Sequence, residues 1–210
     1  PKVMTMGGGV GDYPYYMQVA RGLVDGHKRL FKFGFNGDID TAVEDIWDAG
    51  GEYTYQSSAL AMTATSGGGA TDNGVEVTIQ GLDASYNELS ETVTLAGSGA
   101  ATTTGTFLRT YRAFISGSQE STGDIDIANG GTTYARIQDD EHQTLMALWT
   151  VPAGYTAYLL QTDITAFTEQ NNKFAVVWVQ TRELDGVFRT QDKFALVAGT
   201  HHQQYDVPMP

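Results

Sequence analysis

The sequence predicts an all-β protein, an antiparallel β-sandwich preceded by an extended N-terminal arm. Three observations carry this reading. Val75, Val77 and Ile79 fall on one face of an extended segment and Glu76, Thr78 and Gln80 on the other, which is the alternation of a half-buried strand. Short segments of the same kind follow one another from Ser66 to Val207, with almost nowhere to place a long helix. The 25 Gly residues gather in clusters such as Gly67 to Gly69 and Gly130-Gly131, as expected where turns join strands. Together these features exclude scaffolds built on βαβ units and favour two packed sheets.

Residues 1–50 differ from the rest and are read as the arm. They contain Gly7-Gly8-Gly9, the aromatic run Tyr13-Pro14-Tyr15-Tyr16 and the basic cluster His27-Lys28-Arg29-Leu30-Phe31-Lys32, and five of the 12 Lys and Arg residues lie there. No strand or helix period fits the aromatics. An arm that becomes ordered against a neighbouring subunit accounts for both features; packing as an irregular segment on its own domain is the other reading. Asp40 to Trp47 is the one helix candidate, with Thr41 and Glu44 as a capping box and Val43, Ile46 and Trp47 on one face. Gly50-Gly51 would end it.

Residues 51–210 are read as one β-sandwich domain. Strands are expected at 53–56, 59–64, 75–80, 91–96, 107–116, 124–127, 133–137, 144–151, 156–165, 174–182 and 187–197. Eleven short strands at this spacing suggest a jelly-roll-like sandwich. The last two form a hairpin, because Leu184-Asp185-Gly186 supplies an Asp-Gly turn signal, and Val151-Pro152-Ala153-Gly154-Tyr155 makes another turn. Val75, Val77, Ile79, Val93, Leu95, Trp149, Val176 and Trp178 are the expected core.

Composition narrows the function classes. With 25 Asp and Glu against 12 Lys and Arg, the net charge is −13, a field that repels phosphate backbones, so nucleic acid is not an expected partner. The chain has no Cys, which removes disulfides and thiolate metal sites. No apolar run approaches the 18 or so residues that span a bilayer. No apolar segment follows a basic one at the N-terminus, so the expectation is synthesis in a cytoplasm without cleavage.

The sequence carries no recognisable catalytic, cofactor-binding or metal-site motif. His201 and His202 are adjacent and point to opposite faces of a strand. Asp139-Asp140-Glu141-His142 reads as a solvated acidic loop. Asp124-Ile125-Asp126-Ile127-Ala128-Asn129-Gly130 has Ala128 at loop position 5, Gly at 7 and Ala135 at 12, whereas a calcium loop needs a ligand at 5, Gly at 6 and Glu at 12. Ile125 and Ile127 read instead as inward residues of a strand. Asp38 and Asp40, or Glu44 and Asp45, lack any sign of the cleft that a glycosidase pair requires. There is no Gly-x-Ser-x-Gly elbow or P-loop. Trp149 and Trp178 read as core rather than as a sugar-stacking platform.

Several phrases then stand out together. Phe33-Gly34-Phe35-Asn36 is followed by Asp38-Ile39-Asp40-Thr41-Ala42 and by Ile46-Trp47-Asp48-Ala49-Gly50-Gly51-Glu52-Tyr53. Gly81-Leu82-Asp83, Ser90-Glu91-Thr92-Val93-Thr94-Leu95 and Thr150-Val151-Pro152-Ala153-Gly154 come after them. In order and spacing the set resembles a family of virion structural proteins of tailed bacteriophages that infect aquatic bacteria. The resemblance covers most of residues 30–200 and none of the first 30. It implies a non-enzymatic subunit, without cofactor, on the exterior of the head as a decoration protein or at the neck or tail. The expected partners are other virion proteins and further copies of the chain, as a trimer or higher homo-oligomer whose closure would bury the arm and the sheet edges, with no membrane and, given the net charge, no nucleic acid. Tyr13, Tyr15, Tyr16, Lys28, Arg29, Phe31, Lys32, Phe33 and Phe35 are the expected assembly contacts. A carbohydrate- or receptor-binding module of a tail fibre is the alternative.

Overall fold

Among the described residues the computed structural model carries, in chain order, one α-helix, α1 (Tyr15–Ala20), a short 3-10 helix at Gly69–Asp72, and eleven strands. These are β1 (Leu60–Ser66), β2 (Glu76–Leu82), β3 (Glu88–Thr94), β4 (Ala101–Phe107), β5 (Arg109–Ile115) and β6 (Ile125–Asn129), followed by β7 (Thr132–Ile137), β8 (Leu159–Ala166), β9 (Ala175–Thr181), β10 (Arg189–Leu196) and β11 (Gly199–Met209). The structure describes residues 13–97, 99–167, 173–184 and 186–209. Gly7 to Gly9, Lys2 and the turn residue Asp185 lie outside them. The fold is all-β and its sheets are antiparallel.

The chain divides into two units, 1–153 and 154–210. The expected boundary at residue 50 is therefore not where the contacts thin out. In the first unit, a sheet of order β4-β1-β6-β7 and a sheet of order β3-β2-β5 enclose one core. The alternation read from β2 is realised there, with Val77 and Ile79 fully buried and registered against Val93 and Glu91 of β3 and Ile115 and Ala113 of β5. Met62 and Ala64 of β1, Ile125 and Ile127 of β6, and Ala135 and Ile137 of β7 supply the facing layer. Seven described strands build this sandwich, one fewer than an eight-stranded jelly roll. The edges of the two sheets meet where Glu91 of β3 accepts the backbone N–H groups of Thr104 and Gly105 of β4 (2.7 and 2.8 Å).

Several expectations are corrected. Asp40 to Trp47 is not a helix. The Glu44 carboxylate folds back to accept from Asp40 N, Gly51 N and Asn36 Nδ2 (3.2, 3.2 and 2.8 Å), and the Asp40 side chain accepts from Ala42 N. Side chains that bond the backbone locally compete with helix formation. Residues 53–56 form no ladder. Residues 144–151 run beside the β5 edge, with Thr144 N donating to Ala113 O and Ile115 N to His142 O (both 2.9 Å). β4 and β11 were not anticipated, because Ala101-Thr102-Thr103-Thr104-Gly105 and His201-His202-Gln203-Gln204 carry little apolar contrast between faces.

The core reading holds for Val75, Val77, Ile79, Val93 and Leu95. It fails for Trp178, which is 38% exposed, while Trp149 and Val176 are only half-buried. The buried tryptophan is Trp47, edge-on to Tyr53 at 5.1 Å and donating Nε1 to Gly51 O. It lies in the segment assigned to the arm, so that segment's last residues belong to the sandwich core.

In the second unit β8 pairs with β11 and β9 with β10, the latter in the expected antiparallel arrangement. Phe194 stacks on His201 at 3.8 Å, and Tyr205 donates to Asp192 (3.1 Å).

Candidate assembly face

The segment 31–36 is extended, and its two faces are the reverse of what hydrophobicity dictates. Phe31, Phe33 and Phe35 point outward and are 75%, 43% and 49% exposed, whereas Lys32, Gly34 and Asn36 turn toward the sandwich. Each inward residue has a specific reason to be there. Lys32 Nζ donates to the Tyr111 carbonyl at 2.5 Å and sits 5.8 Å from the Tyr111 ring centre. Burial, with Arg112 adding to it, pulls the Lys32 ammonium down to about 8, and Asp48 acts in the opposite direction. Gly34 passes over the hydrogen bond from Ala147 N to Ile46 O; a Cβ there would lie 2.4 Å from that nitrogen and 2.5 Å from that oxygen. Asn36 donates to the Asp45 carbonyl and accepts from Asp38 N. Phe35 N donates to Leu145 O at 3.1 Å.

With the side chains of Lys32 and Asn36 and the Phe35 N–H bonded inward, the segment presents a rail of phenyl rings. Phe31 and Phe33 stand 5.8 Å apart, and Leu30, Ile39 and Val43 extend the apolar surface at 50%, 59% and 62% exposure. Large apolar side chains left exposed along one segment of a folded surface point to an interaction site. Beside it, Val19, Ala20, Gly22, His27, Lys28, Arg29 and Phe31 line an open cleft of about 700 Å³.

The expected contact residues are thus divided. Tyr15 and Tyr16 lie exposed on α1, which buries none of its side chains, and Tyr13 is half-buried under Arg21, whose guanidinium is 4.6 Å from the ring centre. Arg29 is exposed. Lys28 pairs with Glu88 of its own unit at 3.4 Å. Lys32 faces its own unit and leaves the expected contact set. Ile39 and Val43 were missed because they were assigned to the inner side of a helix or left unread. Alternation against Asp38 and Asp40 was the available signal for Ile39.

The other groups weighed for chemistry have structural partners. Asp126 takes a two-pronged bond from Arg136 (2.7 and 3.0 Å), with Ile125 and Ile127 fully buried. His202 pairs with Asp163, while His201 stacks on Phe194. His142 stands 3.6 Å from Glu120. Among the described residues no group of three His, Asp or Glu is arranged to hold a metal ion. Trp149, Tyr53, Tyr55, Tyr111 and Arg109 line a recess of about 10 Å³, room for about one water molecule. Comparison with protein-family models, with curated proteins and with solved structures returns no match for this chain.

Proposed function

We propose that this chain is a non-enzymatic structural subunit of a tailed-phage virion, attached to the outside of the head or to the neck or tail and acting by assembly. The observation that carries this reading is the outward row Phe31, Phe33 and Phe35 on a backbone held down by Lys32, Gly34 and Asn36. Three phenyl groups kept partly in water cost free energy unless another surface covers them, and covering each one returns a share, set by its exposure, of the roughly 1.5 to 3 kcal/mol that full burial is worth. A partner with an apolar groove and an acidic rim fits this rail and the neighbouring Arg29. The resemblance of the phrase order in residues 30–200 to phage virion proteins is the context in which we read the rail. Phenyl rings without a polar handle also suit a protein groove better than a sugar, which calls for hydrogen-bonding groups beside the ring. The Trp149 recess is too small for a sugar ring.

The test is localisation. The protein is expected in purified particles of the phage that encodes it, on their exterior in cryo-electron microscopy, and a Phe31→Ser/Phe33→Ser/Phe35→Ser variant is expected to be missing from them. Absence of the wild-type protein from particles, or specific binding on a glycan array, overturns this reading.

A further inference from the structure

We infer that residues 154–210 form a self-association element whose outer surface is covered by the same unit of a second copy of the chain. The inference builds on the assembly reading and names the element and the partner.

Burial gives the first argument. Among the described residues of this 57-residue unit, Leu196 alone is buried. Leu160, Phe167, Phe174, Leu184, Val187 and Val197 are between 47% and 90% exposed. A two-stranded ribbon is marginal in water, and a unit of this size needs most of its apolar surface covered to hold together.

Backbone gives the second. β8 pairs only with β11 and β9 only with β10 among the described strands, so each ribbon offers open edges, which are templates for strand pairing with another chain.

Charge is compatible with a second copy as the occupant of this unit and not of the first. Residues 154–210 hold four Lys and Arg against six Asp and Glu, a net −2, while 1–153 hold eight against 19, a net −11. Two copies meeting through their first units bring strong like charge together, whereas two meeting through 154–210 do not. Closed homo-oligomers are also the commonest soluble assemblies.

The full-length chain is expected to sediment as a homo-oligomer. Leu160→Lys/Phe174→Lys/Val197→Lys is expected to weaken self-association by at least about 100-fold and give the mass of one chain, since truncated or charged interface anchors cost several kcal/mol. The buried Trp47–Tyr53 pair should keep its near-ultraviolet circular dichroism in that variant. If that signal is lost, hydrogen exchange on the wild type decides. Amides of β8 to β11 should then exchange faster on dilution while those of β2 and β6 do not. A monomeric wild type overturns the inference, whether its 154–210 amides are protected by the chain's own first unit or only on addition of a different virion protein. An oligomer unaffected by the three lysines, or exchange independent of dilution, overturns it as well. Phe31→Ser/Phe33→Ser/Phe35→Ser should leave the mass unchanged. An oligomer that is absent from particles therefore removes the virion reading and leaves this one standing.

Discussion

The Asp48 carboxylate accepts the backbone N–H of Leu145, 97 residues further along the chain, while its Oδ1 is buried with no hydrogen-bond partner. One carboxylate thus ties the end of the N-terminal segment to the stretch beneath Phe35. Burial pushes its carboxyl from 3.8 up to about 6, with the Leu145 N–H opposing and Glu141 adding to the rise. The folded chain therefore holds a proton between about pH 4 and 6 that the unfolded chain has released. Stability from this group falls as pH rises through that window and is lowest above it. Asp48→Asn is expected to remove that fall and to add about 1 to 2 kcal/mol at pH 7. Asp48→Ala strands the Leu145 N–H and should cost about 1 to 3 kcal/mol relative to Asp48→Asn. Urea unfolding of the three proteins from pH 4 to 7 checks this, and parallel wild-type and Asn curves would refute it.

Asp72 is the opposite case. It is fully buried, and burial alone would raise its carboxyl, yet bonds from the Ser66 hydroxyl, the Thr122 hydroxyl and Thr122 N outweigh that and hold it below the ordinary value. Its contribution is present above the unfolded carboxyl range and is lost as pH falls through the folded one. Asp72→Ala leaves Thr122 N without its acceptor and should cost about 1 to 3 kcal/mol in denaturant unfolding at pH 7.

Gly34→Ala should drive a methyl group into the Ala147–Ile46 hydrogen bond. Both contacts are backbone, so the segment 31–36 must lift, at a cost of about 1 to 3 kcal/mol. By contrast, replacing Phe31, Phe33 and Phe35 with Ser should move stability by no more than about 0.5 kcal/mol per site. Thermal unfolding of the two variants separates the inward face from the outward one.

Among the tryptophans, Trp47→Ala should cost about 3 to 5 kcal/mol, the usual penalty for an aromatic removed from a core. In the Leu160→Lys/Phe174→Lys/Val197→Lys background, where residues 154–210 are uncovered, Trp149→Ala should cost less, and Trp178→Ala less than about 1 kcal/mol, since its exposed ring is met by Lys193 at 5.2 Å. The same order is expected for fluorescence quenching by iodide, with Trp47 the least accessible.

Much of the fold was legible in the residues alone. Val77 and Ile79 against Glu76 and Gln80, or Ile125 and Ile127 against Asp126, declare a strand and its buried side, because apolar and charged groups differ sharply and a strand has only two faces. Thr102 to Thr104 carry no such contrast, so β4 became visible only through its pairing with β1. The same limit explains the failed helix. Thr41 and Glu44 stand at capping spacing, but the groups that recruit Glu44 include Asn36 and Gly51, which propensity does not weigh.

The candidate face shows where sequence stops most clearly. The aromatics of residues 1–50 fit no single period as a sequence; in the structure Phe31 to Asn36 alternates in burial, with Phe31, Phe33 and Phe35 outward and Lys32, Gly34 and Asn36 inward. Hydrophobicity would have turned the phenyl rings inward. The tertiary structure reversed them, because only Lys32 reaches the Tyr111 carbonyl and only a residue without a Cβ fits at position 34. Periodicity is a property of the chain itself, whereas the choice of buried face depends on what the neighbouring backbone offers, and that neighbour is distant in sequence.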